Sequence, residues 1–194
     1  MQTEIRPRYA LIIRLPREAE VRLEDAFLSV IGATKPAMGY HLTLVGPYLL
    51  AQGVASPHLP AIARACRQTR PFAVQLSRLG VFREENDNAV YLGVAEPEPV
   101  VALHRRLLRA AGAMIVPESE QLRLWTVENY RPHVTLGLRM SDADLEEFLR
   151  LGSARRVDVT FPVERVRLVE QVPNGPWEYI AEYGLGTAEE RPRR

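Results

Sequence analysis

An α+β fold is predicted for this chain: two pseudo-twofold-related lobes, each an antiparallel β-sheet flanked by helices, with a cleft between them. Three observations predict it. Apolar residues switch repeatedly between a strand-like period of 2 and a helix-like period of 3.6. Strand, helix, strand, helix and hairpin over residues 8–95 are followed by a helix, then strand, helix and hairpin again over 98–186, a weak internal repeat. Each half also carries one near-identical tetrad, His41-Leu42-Thr43-Leu44 and His133-Val134-Thr135-Leu136. Pro and Gly are spread along the chain and form no linker, so residues 1–186 are expected to make one bilobal domain with interleaved lobes. The polar residues 187–194 are expected to be a frayed tail.

Tyr9 to Leu15 has the character of a buried strand. Pro16 then opens a helix over 17–31, where Val21, Leu23, Phe27, Leu28 and Ile31 recur at helical spacing until Gly32. Tyr40 to Val45 reads as a second strand, stopped by Gly46 and Pro47. Ser56 and Pro57 suit an N-cap and a first helical position for a helix to about Gln68, and Phe72 to Phe82 returns to strand character. Residues 84–88 make a polar turn, and Ala89 to Ala95 the returning arm of a hairpin. Pro97 and Pro99 open a helix whose apolar face carries Val101, Leu103, Leu107, Leu108 and Ala111, closed by Gly112. His133 to Leu138 is a strand, and Ser141 caps a helix with Leu145, Phe148 and Leu149 that ends at Gly152. Val157 to Val169 and Trp177 to Leu185 are predicted as a strand pair around the turn Pro173-Asn174-Gly175-Pro176.

With 194 residues, 46% of them hydrophobic, the chain can bury a sizeable core. A formal charge of +1, from 25 basic and 24 acidic residues, excludes a whole-molecule field that draws in polyanions, so any nucleic-acid recognition must be local. Cys66 is alone, which excludes an intrachain disulfide, argues against a thiolate metal site and fits a reducing compartment. The apolar run Ala10 to Ile13 is too short for a signal peptide or a membrane span. A cytoplasmic protein without membrane contact is expected.

In a strand, His41 and Thr43 emerge on one face while Leu42 and Leu44 face the other, and His133 and Thr135 behave alike. Random placement of the four histidines gives roughly 0.16 His-x-Thr triplets, so two in equivalent halves call for a reason. Two imidazoles on one cleft suit acid–base chemistry, one ring accepting a proton and the other donating one. Each threonine hydroxyl can donate to a non-bridging phosphate oxygen. The set fits in-line displacement at phosphorus without a metal or other cofactor. It lacks the Gly-rich loop and lysine of a P-loop, and the Ser or Cys with a base that acyl transfer needs.

The two tetrads, with Arg131-Pro132 before and Gly137 after the second, resemble the signature motifs of the 2H phosphoesterases, which include bacterial 2'-5' RNA ligases and RNA 2',3'-cyclic phosphodiesterases. Gly46-Pro47-Tyr48, Leu79-Gly80-Val81-Phe82, Val90 to Val94 and Val166 to Glu170 are also similar to that group, so the resemblance spans most of the chain. It implies a bilobal fold with the site between lobes, His41 as general acid and His133 as general base in opening a cyclic phosphate to a 2'-phosphate. RNA ends or small cyclic nucleotides would be the substrates of a protein expected to be monomeric. The same site could join or cleave 2'-5' linkages. A non-catalytic nucleotide or RNA-end binding protein that keeps the fold is the alternative, disfavoured because binding alone needs no second titrating group.

Around the motifs, Arg131 shares parity with His133 and would clamp phosphate, unless Pro132 leaves it at the solvent rim. Tyr48 and Phe82 end strands near the cleft and would either stack on a base or pack in the core. His58 and His104 lack the spacing of metal-ligand pairs with His41 or His133, so no metal site is expected. Arg105, Arg106 and Arg109 read as a solvated helix face, and Trp125 and Trp177 as packing residues.

Overall fold

The structure, a computed structural model, describes residues 6–31, 36, 38–83, 85, 87–123, 129–152 and 157–186; Trp125 and the expected tail at 187–194 lie outside them. In chain order the elements are β1 (Arg8–Arg14), α1 (Arg17–Ile31), β2 (His41–Leu50), α2 (Pro60–Arg67), β3 (Phe72–Phe82), β4 (Asn88–Val94) and α3 (Glu98–Ala111). A 3-10 turn, Gly112–Met114, leads to β5 (Ile115–Pro117), α4 (Glu120–Arg123), β6 (His133–Met140), α5 (Asp142–Gly152), β7 (Val159–Val163), β8 (Arg165–Gln171) and β9 (Trp177–Gly184). Among the described residues, no helix is long and apolar enough to cross a membrane.

The strands pair antiparallel in the order β7-β3-β4-β6-β2-β1-β8-β9, with β5 on the far end of β2. At the centre β2 meets β6 through one residue pair, Leu42 with Val134, so the sheet divides there into two four-stranded halves. Read outward, the halves are β2-β1-β8-β9 and β6-β4-β3-β7, and each begins with a tetrad strand. These halves are not the halves of the sequence. The hairpin β3-β4 of the first half joins β6 and β7, while β8-β9 of the second joins β1. Helix α1 likewise packs on α5, β6 and β7, whereas α2 and α3 cover β9 and β2.

Three expected boundaries need correction. The stretch Val157 to Val169 is two strands, because the buried parity reverses: Val159, Phe161 and Val163 are buried, then Val166 and Leu168. One flat strand cannot bury both sets on one side, and the chain uses the phase change to cross between halves. Strand β2 does not stop at Gly46-Pro47 but continues through a cis Gly46–Pro47 bond to Leu50, with a shift of register against β1. Helix α2 starts at Pro60, with Leu59 at its N-cap, and the Ser56 hydroxyl instead accepts the His58 N–H in the preceding turn. Ser141 does cap α5: its Oγ accepts the Asp144 N–H at 3.1 Å and donates back to the Asp144 carboxylate at 2.7 Å.

Candidate active site

His41 and His133 are the first residues of β2 and β6. Their neighbours Leu42, Leu44, Val134 and Leu136 are fully buried in the core, so the period-2 alternation turns His41, Thr43, His133 and Thr135 to the opposite face, where all four are partly exposed. The Leu42–Val134 pair, carried one step each way, sets His41 across from Thr135 and Thr43 across from His133. A local twofold therefore runs through that pair and relates the tetrads. Burial of the leucine face fixes this register, since a slip of one residue would expose leucines and bury imidazoles.

Both rings are oriented by the same device. Nδ1 of His41 donates to the Gly39 carbonyl at 2.9 Å, and Nδ1 of His133 donates to the Arg131 carbonyl at 2.7 Å. With the proton on Nδ1, Nε2 of each neutral ring is the nitrogen that can accept a proton. Gly39 has a φ of 75°, and a Cβ there would stand 2.6 Å from Glu20 Oε1, so glycine is what lets the carbonyl reach His41.

Burial lowers the pKa of His41, with the Gly39 hydrogen bond opposing it. Burial also lowers that of His133, opposed by the Arg131 bond and reinforced by charge on His41. Protonating one ring therefore discourages the other, which favours the singly protonated pair that an acid and a base require. Because both groups are shifted down, the pH window of that pair lies on the acid side of an ordinary histidine. The expected kcat/KM profile is a bell with its maximum below about pH 6.5. A rate profile that peaks on the alkaline side of neutrality would contradict it.

A sequence model of the 2'-5' RNA ligase superfamily matches residues 19–175. The chain belongs to that superfamily. It is 25% identical over 146 residues to a Bacillus pumilus protein named, provisionally, a phosphoesterase, an overlap of 75% of this chain and 79% of the other. The crystal structure of TT0787 of Thermus thermophilus superposes with a TM-score of 0.65 at 22% identity, over 93% of this chain and all of that one. E. coli LigT complexed with 3'-AMP superposes with a TM-score of 0.59 at 17% identity, over 93% and 99%. These two likenesses establish a shared fold.

In this 2'-5' RNA ligase superfamily member the tetrads are held by ring side chains, among which sequence patterning singles out Phe82 and His104 but neither Tyr91 nor Tyr130. Tyr91, in register with Thr135, lies 5.1 Å from the His133 ring and stacks on Phe82 at 4.4 Å. Phe82 itself meets His133 edge-on at 5.1 Å, so it is a wall of the site. Tyr91 lies over Gly80, where a Cβ would come within 2.3 Å of the ring. On the core side, His104 and Tyr130 stack at 3.7 Å; His104 Nδ1 donates to the Leu44 carbonyl at 2.6 Å and the Tyr130 hydroxyl to the Thr43 carbonyl at 2.8 Å. Together they grip the two carbonyls that flank the end of the first motif. Burial lowers the pKa of His104 and raises that of Tyr130, which keeps both neutral.

The other expected site residues fall differently. Tyr48 is buried against Tyr9 at a centroid distance of 6.0 Å, in the core, and cannot stack on a base. The reason is parity: Tyr48 continues the buried face of β2. Arg131 is exposed two residues before His133, the first residue of β6, and its carbonyl is the His133 partner. His58 is exposed, and Arg106 donates to the Gln68 carbonyl at 2.8 Å between α3 and α2. Among the described residues, no three His, Cys, Asp or Glu side chains gather as a potential metal site.

Proposed function

We propose that the protein is a metal-independent phosphoesterase of the two-histidine type that opens RNA 2',3'-cyclic phosphate termini to 2'-phosphates. Running the same site in related directions would join or cleave 2'-5' linkages. The observation that carries this is the matched pair of histidines on neighbouring strands, each with Nδ1 tied to a carbonyl two residues upstream. Nε2 of His133 takes a proton from water as its oxygen attacks phosphorus. Nε2–H of His41 protonates the 3'-oxygen as the P–O3' bond breaks, leaving phosphate on O2'. Proton exchange with solvent then restores both rings. Thr43 and Thr135 donate to the non-bridging oxygens, and Arg131 at the rim adds positive charge.

The test is turnover of an oligoribonucleotide ending in a 2',3'-cyclic phosphate, in EDTA, with the product read by phosphorus NMR. A 2'-phosphate is expected. A strict requirement for added divalent metal, or an intact substrate at every pH, would overturn the proposal.

A further inference from the structure

The face that bears His41 and Thr43 continues sideways onto β1, β8 and β9. Arg14 is in register with His41, Ile12 with both Thr43 and Arg167, and Val169 with Tyr179. There Ala10, Ile12 and Val169 form a small apolar cluster separate from the main core, with Met38 and Trp177 packed against it. Above it opens a hollow of about 530 Å³, large enough for a small ligand, with Arg14 and Arg167 among its lining. Its wall includes Gly39, whose carbonyl holds His41.

We propose that this hollow seats the terminal nucleoside of the substrate, its base against Trp177 and Met38 and its 5'-phosphate on Arg14 and Arg167. The proposal rests on the reaction assigned above. In an in-line displacement the leaving oxygen lies opposite the attacking water. If His41 serves the leaving 3'-oxygen, the ribose must lie on the His41 side of phosphorus, which is the side of the hollow. The chemistry there is complementary: an apolar floor with an indole for a flat base, and two guanidinium groups for a phosphate. Each guanidinium is braced by a carboxylate, Arg14 by Glu20 at 3.6 Å and Arg167 by Glu182 at 3.1 Å. The Arg8 guanidinium, 5.7 Å from the Trp177 centroid, holds the indole in place. Ile12, Arg14, Trp177 and Tyr179 lie outside residues 19–175 whereas Met38, Gly39, Arg167 and Val169 lie inside, so the seat straddles the limits of the matched family sequence.

The test is titration of adenosine 3',5'-bisphosphate by calorimetry, with Trp fluorescence followed in parallel. Wild type is expected to bind with quenching. Trp177→Leu and Arg167→Ala are each expected to raise Kd about tenfold, Trp177→Phe to keep most of the affinity, and adenosine 3'-phosphate to be indifferent to Arg167→Ala. Unchanged Kd in Trp177→Leu, with its melting temperature kept, would overturn the seat. Loss of cyclic-phosphate turnover with Trp177-dependent binding intact would instead strike the reaction and leave the seat standing.

Discussion

His41→Ala and His133→Ala are each expected to lose on the order of 10² to 10⁴ in turnover of a cyclic-phosphate terminus while remaining folded. The loss is large because each ring moves a proton in the step that makes or breaks a bond at phosphorus. Folding is spared because each imidazole faces away from the core and spends its one protein hydrogen bond on a carbonyl two residues away. The variants should also differ in shape of profile. Without the base, the acid limb of the bell disappears; without the acid, the alkaline limb does. In the double variant the losses should fail to add, since two groups serving one transition state act as a unit. Full activity in either single variant would sink the two-histidine mechanism, whereas equal loss of activity and of melting temperature would assign the ring to structure.

Phe148→Ala is expected to cost about 3–5 kcal/mol and to lower the melting temperature by roughly 6–20 °C. Phe148 is fully buried on α5 and meets Phe27 of α1 at 6.0 Å. That contact fastens α1, which leaves from β1 in one half of the sheet, onto the other half. Its removal leaves a cavity where two crossing elements are joined, and neither helix can settle to fill it without moving its strand. Phe148→Leu keeps most of the volume and should cost under about 1.5 kcal/mol. A thermal denaturation series by circular dichroism checks both; a loss below about 1 kcal/mol in the alanine variant would show that the helices repack freely.

Local periodicity made much of this legible. The tetrads, the β3 span and the Ser141 cap follow from side-chain alternation and capping chemistry that act over a few residues. What periodicity could not supply is partnership. The hairpin β3-β4 reads equally well beside β2 or beside β6, and only the burial of both sheet faces decides. The break near Glu164 did leave a trace, since the apolar positions change parity between Val163 and Val166. Tyr91 and Tyr130 left none: each is an aromatic residue in an ordinary setting until pairing sets Tyr91 beside Thr135 and the fold brings Tyr130 to the Thr43 carbonyl. Tyr48 was ambiguous because the expected end of β2 at Gly46-Pro47 hid the continuing alternation.

The exchange of hairpins and helices between the halves has a mechanical consequence. A cut near residue 96 would separate β1-β2 from their partners β8-β9, and β3-β4 from β6-β7, so neither fragment would own a closed half-sheet. Excision of one tetrad with its own support is therefore impossible. The chain should melt in a single calorimetric transition, and two separately expressed fragments should regain activity only when mixed. The histidines are yoked in sequence: the sheet that supports each one is built from both halves of the chain.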